Sequence, residues 1–417
     1  GLATGAALVV VALNLRIAIA AVSPVLGAIQ RGTGISSTVA GLLTTVPVIC
    51  FGVFALPTPR LIRRFGMPRL LLLCLVTLAA GIVLRLVPSL AALFAGTAVI
   101  GAAIAVANVL VPGLVKRDHP EQIGLMMGLY STSLLAGAAL SSGLTVPIEH
   151  AAGIGWRPAL ALWAVPAAIG IAVWAPHTRG ARATGDPDPE PPVRGLWRDR
   201  TAWMVTGFMG MQSLGYFATL AWLPTLLEDH GASATRAGWM LSIAGFSAVA
   251  AALVAATLSR RPRWPLLLVC LCVALCAVGY LGLVVAPISL VVLWVVALGL
   301  GQGIAFSVAL GFIVDRSPDS HHTAHLSTMA QSVGYLIAST GPFALGAIHD
   351  ATSGWTVSLL ALTAVLVPML FAGIGASRDR HVLAPGLPAN EGRGPSPGGR
   401  QSGQVGDDGR HQRLPGR

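Results

Sequence analysis

The octapeptide Gly34-Ile-Ser36-Ser-Thr38-Val-Ala40-Gly41 returns 197 positions later as Gly231-Ala-Ser233-Ala-Thr235-Arg-Ala237-Gly238. The echo continues elsewhere: Gly113 and Pro120 match Gly311 and Pro318 at an offset of 198, and Gly155-Trp156 matches Gly354-Trp355 at 199. Self-similarity at a near-constant offset in three separated places is the mark of an internal duplication, and it decides how the rest of the chain is read. Whatever one copy builds, the other builds again.

Composition says what is duplicated. Of 417 residues, 54% are hydrophobic and only 10% charged, with 49 glycines and 28 prolines. A soluble domain carries about 25% charged residues, so a water-soluble fold of two or three domains is excluded. The apolar residues fall at 2–29, 37–57, 70–88, 90–115, 123–148, 157–175, 202–227, 236–258, 264–286, 288–314, 323–349 and 355–376. Most of these blocks are long enough to cross a hydrocarbon layer of about 30 Å as a helix. The expected fold is an all-α polytopic membrane protein of twelve transmembrane helices. The first block is too long and lacks the basic start of a cleaved signal peptide.

Six helices lie on either side of the stretch His177–Arg200, whose Gly-Asp-Pro-Asp-Pro-Glu-Pro-Pro centre has no apolar period. Such a segment buries too little surface to offset its ordering entropy. The expected organisation is a first six-helix bundle over 1–176, a linker over 177–200, a second bundle over 201–376 and a disordered tail over 377–417.

The net charge of +11 reports topology. Lys and Arg occur in alternate loops as groups of four, two, five, three, one and seven, 22 of the 27, whereas the intervening loops hold only Arg31, Arg85, Arg157 and Arg236. By the positive-inside rule both termini and the linker are cytoplasmic, in a multi-pass protein of the cytoplasmic membrane whose surroundings are the lipid bilayer. The basic tail has no aromatic residue for bases to stack on, so no nucleic-acid partner is expected.

Two six-helix halves in parallel are the arrangement of the major facilitator superfamily, with its solute site at the repeat interface near the bilayer midplane. Particular residues narrow the resemblance. Asn14-Leu-Arg16, Val22-Ser-Pro24-Val-Leu26, Leu129-Tyr-Ser131-Thr132, Gly143-Leu-Thr-Val-Pro147, Ala221-Trp-Leu-Pro224 and Gln331-Ser-Val-Gly-Tyr335 resemble the cyanate/nitroimidazole permease family, over about residues 10–376. The resemblance implies a secondary transporter with a cavity lined by the first, fourth, seventh and tenth helices, and makes Arg16 a solute-site residue.

One motif departs from the superfamily pattern. Where Gly-x-x-x-Asp-Arg-x-Gly-Arg would stand between the second and third helices, the chain reads Pro59-Arg-Leu-Ile-Arg63-Arg64-Phe-Gly66-Met-Pro-Arg69. Arg63 replaces the carboxylate. Arg60, Arg63, Arg64 and Gly66 form either a modified gate or a basic loop that only sets orientation.

All sixteen acidic residues and all ten histidines fall in loops, in the tail or at helix ends. Arg16 is the exception among charges: it stands inside the first apolar block, where a central arginine costs about 2.5–3.5 kcal/mol and usually faces a cavity or the bundle interior. Facing a cavity, its planar fork suits a small anion; otherwise it snorkels outward or braces backbone carbonyls. Asn14 lies about 160° from it around a helix, so the two cannot both point at one solute. Further polar candidates are Asn108 in the fourth helix, Tyr130 in the fifth, Gln212 and Tyr216 with Thr219 along the seventh, Gln302 with Phe306 in the tenth, and Gln331 with Tyr335 in the eleventh. Each could equally hydrogen-bond helix to helix.

An intramembrane enzyme would need a buried nucleophile and base, paired aspartates or a metal cluster, and the apolar blocks offer none. Cys50, Cys74, Cys270, Cys272 and Cys276 have no His or carboxylate close by, so neither metal nor disulfide is expected. No Walker sequence is present, and no cofactor is expected. The sequence reads as a monomeric transporter of a small anionic or weakly polar solute (cyanate-like, small carboxylate or nitroimidazole-like), with or without a proton. The alternative is a multidrug-type exporter of neutral compounds on the same fold.

Overall fold

The computed structural model describes residues 2–178, 195–259, 263–286, 288–318 and 320–383. Most of the expected linker and the tail from 384 onward lie outside the described residues. Among the described residues the chain is all helix and turn: α1 (Leu2–Ala20), α2 (Leu26–Thr33), α3 (Ser37–Phe54), α4 (Thr58–Phe65), α5 (Met67–Leu84), α6 (Leu90–Asp118), α7 (Ile123–Ala151), α8 (Trp156–Leu162), α9 (Ala164–Trp174), α10 (Arg200–Asp229), α11 (Ala234–Leu258), α12 (Trp264–Val285), α13 (Val291–Asp315), α14 (Ser320–Thr352) and α15 (Thr356–Ser377).

Three expectations change. The first block is broken: α1 stops at Ala20, a 3-10 turn runs over Ser23–Val25, and α2 carries on to Thr33. Pro24 sits in that turn; it lacks an N–H and its ring crowds the preceding carbonyls. The sixth block divides at Trp163 into α8 and α9, with Pro166 in the first turn of α9, where proline is tolerated. The basic stretch expected as a loop contains the short amphipathic helix α4.

Among the described residues ten helices are long and apolar enough to cross a membrane. The two long helices that fall short are α10 and α14, at 30 and 33 residues. They carry Gln212, Ser213 and Thr219, and Ser332 and Ser339, and bury them inside the protein rather than against lipid.

The duplicated octapeptide performs the same local task twice. Gly34 and Gly231 have φ of +71° and +93°, the left-handed conformation that ends the preceding helix and that glycine adopts without strain. Ser36 and Ser233 then cap the next helices, their hydroxyls accepting from the amides of Val39 (3.3 Å) and Arg236 (3.2 Å). One turn further, a Cβ on Gly41 would stand 2.8 Å from the Pro342 carbonyl oxygen, and one on Gly238 2.7 Å from that of Ser142.

These glycines let α3 pack on α14 and α11 on α7, contacts that join the two copies. The other pairings repeat as well: α1 with α7 and α10 with α14; α5 with α6 and α12 with α13; α3 with α6 and α11 with α13. At the arginine-poor end the Asp350 carboxylate, in the last turns of α14, accepts from the amides of Ser37 (3.2 Å) and Thr38 (2.7 Å) and from the Thr38 hydroxyl. A residue of the second copy thereby caps a helix of the first. Midway along α7 and α11, Ser242 donates to the carbonyl of Ala139.

Candidate functional site

Between the copies lies a narrow cavity. Of the residues singled out in the sequence, Arg16 (α1), Gln212 and Tyr216 (α10), Gln302 (α13) and Tyr335 (α14) line it together, with Phe306, Phe217 and Leu134 completing the wall. Gln212 and Tyr216 are one helical turn apart, which puts both on one face of α10. Gln302 is fixed by its neighbours, its amide nitrogen donating to the Thr219 hydroxyl at 2.9 Å, while Thr219 is 3.2 Å from the Tyr280 hydroxyl.

Arg16 is 7% exposed and stands in an aromatic cage. Its guanidinium carbon lies 5.3 Å from the Phe217 ring centre, 5.6 Å from Phe51 and 6.0 Å from Tyr216. Phe51 packs edge-on against Tyr335 at 5.4 Å, which fastens the cage across α3 and α14. Each such cation–π contact contributes about 0.5–2 kcal/mol, the upper end when water is excluded. The rings supply no hydrogen-bond acceptor in the guanidinium plane, however. Nη1 of Arg16 is buried without a partner, and among the described residues its side chain makes no hydrogen bond or ion pair and no Asp or Glu is buried. A buried donor left unmet costs about 1–3 kcal/mol, more when charged. The site thus presents a buried cationic donor to the cavity with no acceptor from the protein.

The other sequence candidates fall elsewhere. Asn14 donates from Nδ2 to the carbonyl of Val10 at 2.9 Å and faces Gly170 of α9, as its helical angle from Arg16 requires. Tyr130 donates to Oδ1 of Asn108 at 3.0 Å, tying α7 to α6. Gln331 donates to the Ser327 hydroxyl one turn away at 2.8 Å. Arg60, Arg63 and Arg64 are exposed on α4, with no hydrogen bond or ion pair among the described residues; Arg64 lies over the Phe65 ring. Gly66, at φ +73°, joins α4 to α5.

Arg16 is also not the sole buried charge, which corrects the sequence reading. Arg85 is 1% exposed; its Nη1 donates to the Ala18 carbonyl of α1 at 2.9 Å, while Nε and Nη2 have no partner. Arg316 is 6% exposed and donates to the carbonyls of Ala376 and Ser377 and to Asp379. Both stand at helix ends, where an arginine that folds inward looks in sequence like one that points to water. Phe51 and Phe217 were missed for a similar reason: in an apolar helix a cavity-facing phenylalanine and a lipid-facing one are the same letter.

Comparison with known proteins places this architecture. Residues 8–342 match the Major Facilitator Superfamily. The chain belongs to that superfamily. It is 35% identical to the 2-nitroimidazole transporter of Escherichia coli over 378 residues, covering 90% of this chain and 96% of that protein. It is 29% identical to the cyanate transport protein CynX of the same organism, covering 87% and 97%. Among solved structures the D-xylose-proton symporter superposes with a TM-score of 0.72 at 14% identity, over 91% of this chain and 99% of that one. The protein is a membrane-spanning major facilitator transporter of small molecules, not an enzyme, and its likeness to the symporter concerns the fold alone.

Proposed function

We propose that this transporter moves a small anionic or weakly polar solute, in the class of cyanate, small carboxylates and nitroimidazoles, across the cytoplasmic membrane by alternating access. The carrying observation is the unpartnered Nη1 of Arg16, buried in a cavity walled by aromatic rings with no carboxylate to neutralise it. Arg16 supplies charge and hydrogen bonds, the rings exclude water, and Gln212, Gln302 and the Tyr216 and Tyr335 hydroxyls surround the remaining polar edge. The names of the two Escherichia coli relatives, a planar heterocycle and a small anion, fit that lining.

In this reading the bundles 1–176 and 201–376 rock about the cavity, the linker and both termini lie in the cytoplasm, and the protein works as a monomer in the bilayer. No buried carboxylate is available among the described residues to carry a proton, which leaves the solute itself, a tyrosine relay or transport without a proton. Export of neutral compounds is the rival, favoured by the apolar wall of Leu134, Leu135, Ala248 and Phe306.

Binding and uptake by purified protein in proteoliposomes, with cyanate, benzoate and 2-nitroimidazole offered in parallel, tests it. Arg16→Ala is expected to lower affinity for the anion by about 1.5–3 kcal/mol, roughly 10- to 150-fold. Unchanged anion transport by Arg16→Ala would refute the proposal, and neutral compounds moved equally by both proteins would support the rival.

A further inference from the structure

At the arginine-rich end, on the outer surface of the second copy, a groove lies between the start of α10 and the end of α15. Its floor is Met204, Phe371 and Ile374; its rim is Arg200, Arg378 and Arg380. All three arginines are exposed, and none has a side-chain hydrogen bond or ion pair among the described residues. The nearby carboxylates are committed elsewhere. Asp199 caps α10 through the Ala202 amide and accepts from the Leu383 amide, while Asp379 pairs with Arg316. Three arginines thus line one concavity, outnumbering the two carboxylates beside them, and none is paired with either.

Two further features say what fits there. Phe371, 69% exposed, ends a stripe of exposed apolar side chains on α15 that runs back through Val367 and Leu360 to Val357. These positions follow helical spacing, so they make one continuous track from the groove along the lipid-facing side of the helix. Beside the rim, Trp203 and Trp197 are exposed and meet edge to face, with Trp203 Nε1 donating to the Trp197 carbonyl at 2.8 Å. Exposed tryptophans at a helix end mark the depth of the headgroups.

We infer that this groove binds an anionic phospholipid, its phosphate held by Arg200, Arg378 and Arg380 and one acyl chain laid along Phe371 and Val367. Basic recesses between helices at the interface are suited to phosphate-bearing headgroups, and guanidinium forks grip phosphate oxygens in pairs. A soluble phosphate would use the arginines and leave the apolar track unused; only a lipid engages both. The site is remote in chemistry from the Arg16 cavity and stands whether or not the proposed solute class is right.

The test is native mass spectrometry of the full chain released from detergent, titrated with phosphatidylglycerol and, separately, with phosphatidylcholine. Wild type is expected to retain phosphatidylglycerol in preference. Each interfacial arginine contributes about fivefold, so Arg378→Gln should weaken retention about fivefold and the triple change R200Q/R378Q/R380Q about 100-fold, with phosphatidylcholine unaffected. Loss in the single variant keeps the result readable should the triple variant unfold. R60Q/R63Q/R64Q removes as much charge from the exposed face of α4 and should retain the lipid as wild type does. Equal retention by wild type and Arg378→Gln, or equal loss in the α4 variant, overturns the inference. Displacement of the lipid by millimolar glycerol phosphate or inorganic phosphate would show a free-phosphate site instead.

Discussion

Arg16 combines three ring faces with a donor that nothing in the protein satisfies, and that combination separates a ligand group from a structural one by the sign of a stability change. A buried charge without a partner is a cost to the empty protein, and replacing buried ionic groups by apolar residues of similar volume is often neutral or stabilising by about 1–4 kcal/mol. Arg16→Met is therefore expected to raise the thermal unfolding temperature of the solute-free protein while weakening anion binding as Arg16→Ala does. An arginine that braced backbone carbonyls would do the reverse, and a lowered unfolding temperature in Arg16→Met would assign it that role. Phe217→Leu removes the nearest ring and should cost the empty protein about 0.5–2 kcal/mol. Arg16 could be picked out from sequence because one charged letter stands in an apolar run, and helical angles alone set Asn14 apart from it. Arg85 could not, since only the approach of α5 to the Ala18 carbonyl distinguishes it from the exposed Arg31.

Among the elements, the decisive ones are the two pairs that join the copies, α3 with α14 and α7 with α11. Their approach depends on Gly41 and Gly238, equivalent positions of the octapeptide, each facing a carbonyl oxygen at a distance no Cβ can share. Gly238→Val would push α11 from α7, and overpacking of this kind costs about 1–3 kcal/mol. If the arrangement seen is closed at the arginine-poor end, as the Asp350 cap on α3 indicates, the same energy shifts the balance toward opening there by roughly 5- to 150-fold. A cysteine placed at Ser213 in the cavity wall should then react faster with a membrane-impermeant maleimide added from that side. An unchanged rate in Gly238→Val would show that this contact does not limit opening. The repeat was visible as a string of letters, yet its meaning as helix stop, cap and close contact was not, because the partner of each glycine lies on a helix more than 90 positions away. The breaks at Pro24 and Trp163 were likewise hidden, since an apolar run of transmembrane length reads as one helix whether or not it bends.

For the whole molecule the charge map is the governing feature: 22 of 27 basic residues in alternate loops, and no buried carboxylate among the described residues. On the proposed function a transporter so built moves an anion, and among the described residues it has no buried carboxylate to load and release a proton with it. The consequence is electrical. An anion crossing alone carries one negative charge through the membrane potential, worth about 2.3 kcal/mol per 100 mV, so its equilibrium ratio across the membrane should shift about 50-fold for each 100 mV imposed. Proteoliposomes clamped with potassium and valinomycin should accumulate the anion when the interior is positive and exclude it when negative. If the proton rides on the solute, the pair is neutral: the ratio should ignore the potential and follow the pH difference, tenfold for each unit. A potential-independent ratio that is also insensitive to pH in Arg16-intact protein would mean that the solute itself is uncharged, and would transfer the role of Arg16 from binding an anion to hydrogen-bonding a polar neutral edge.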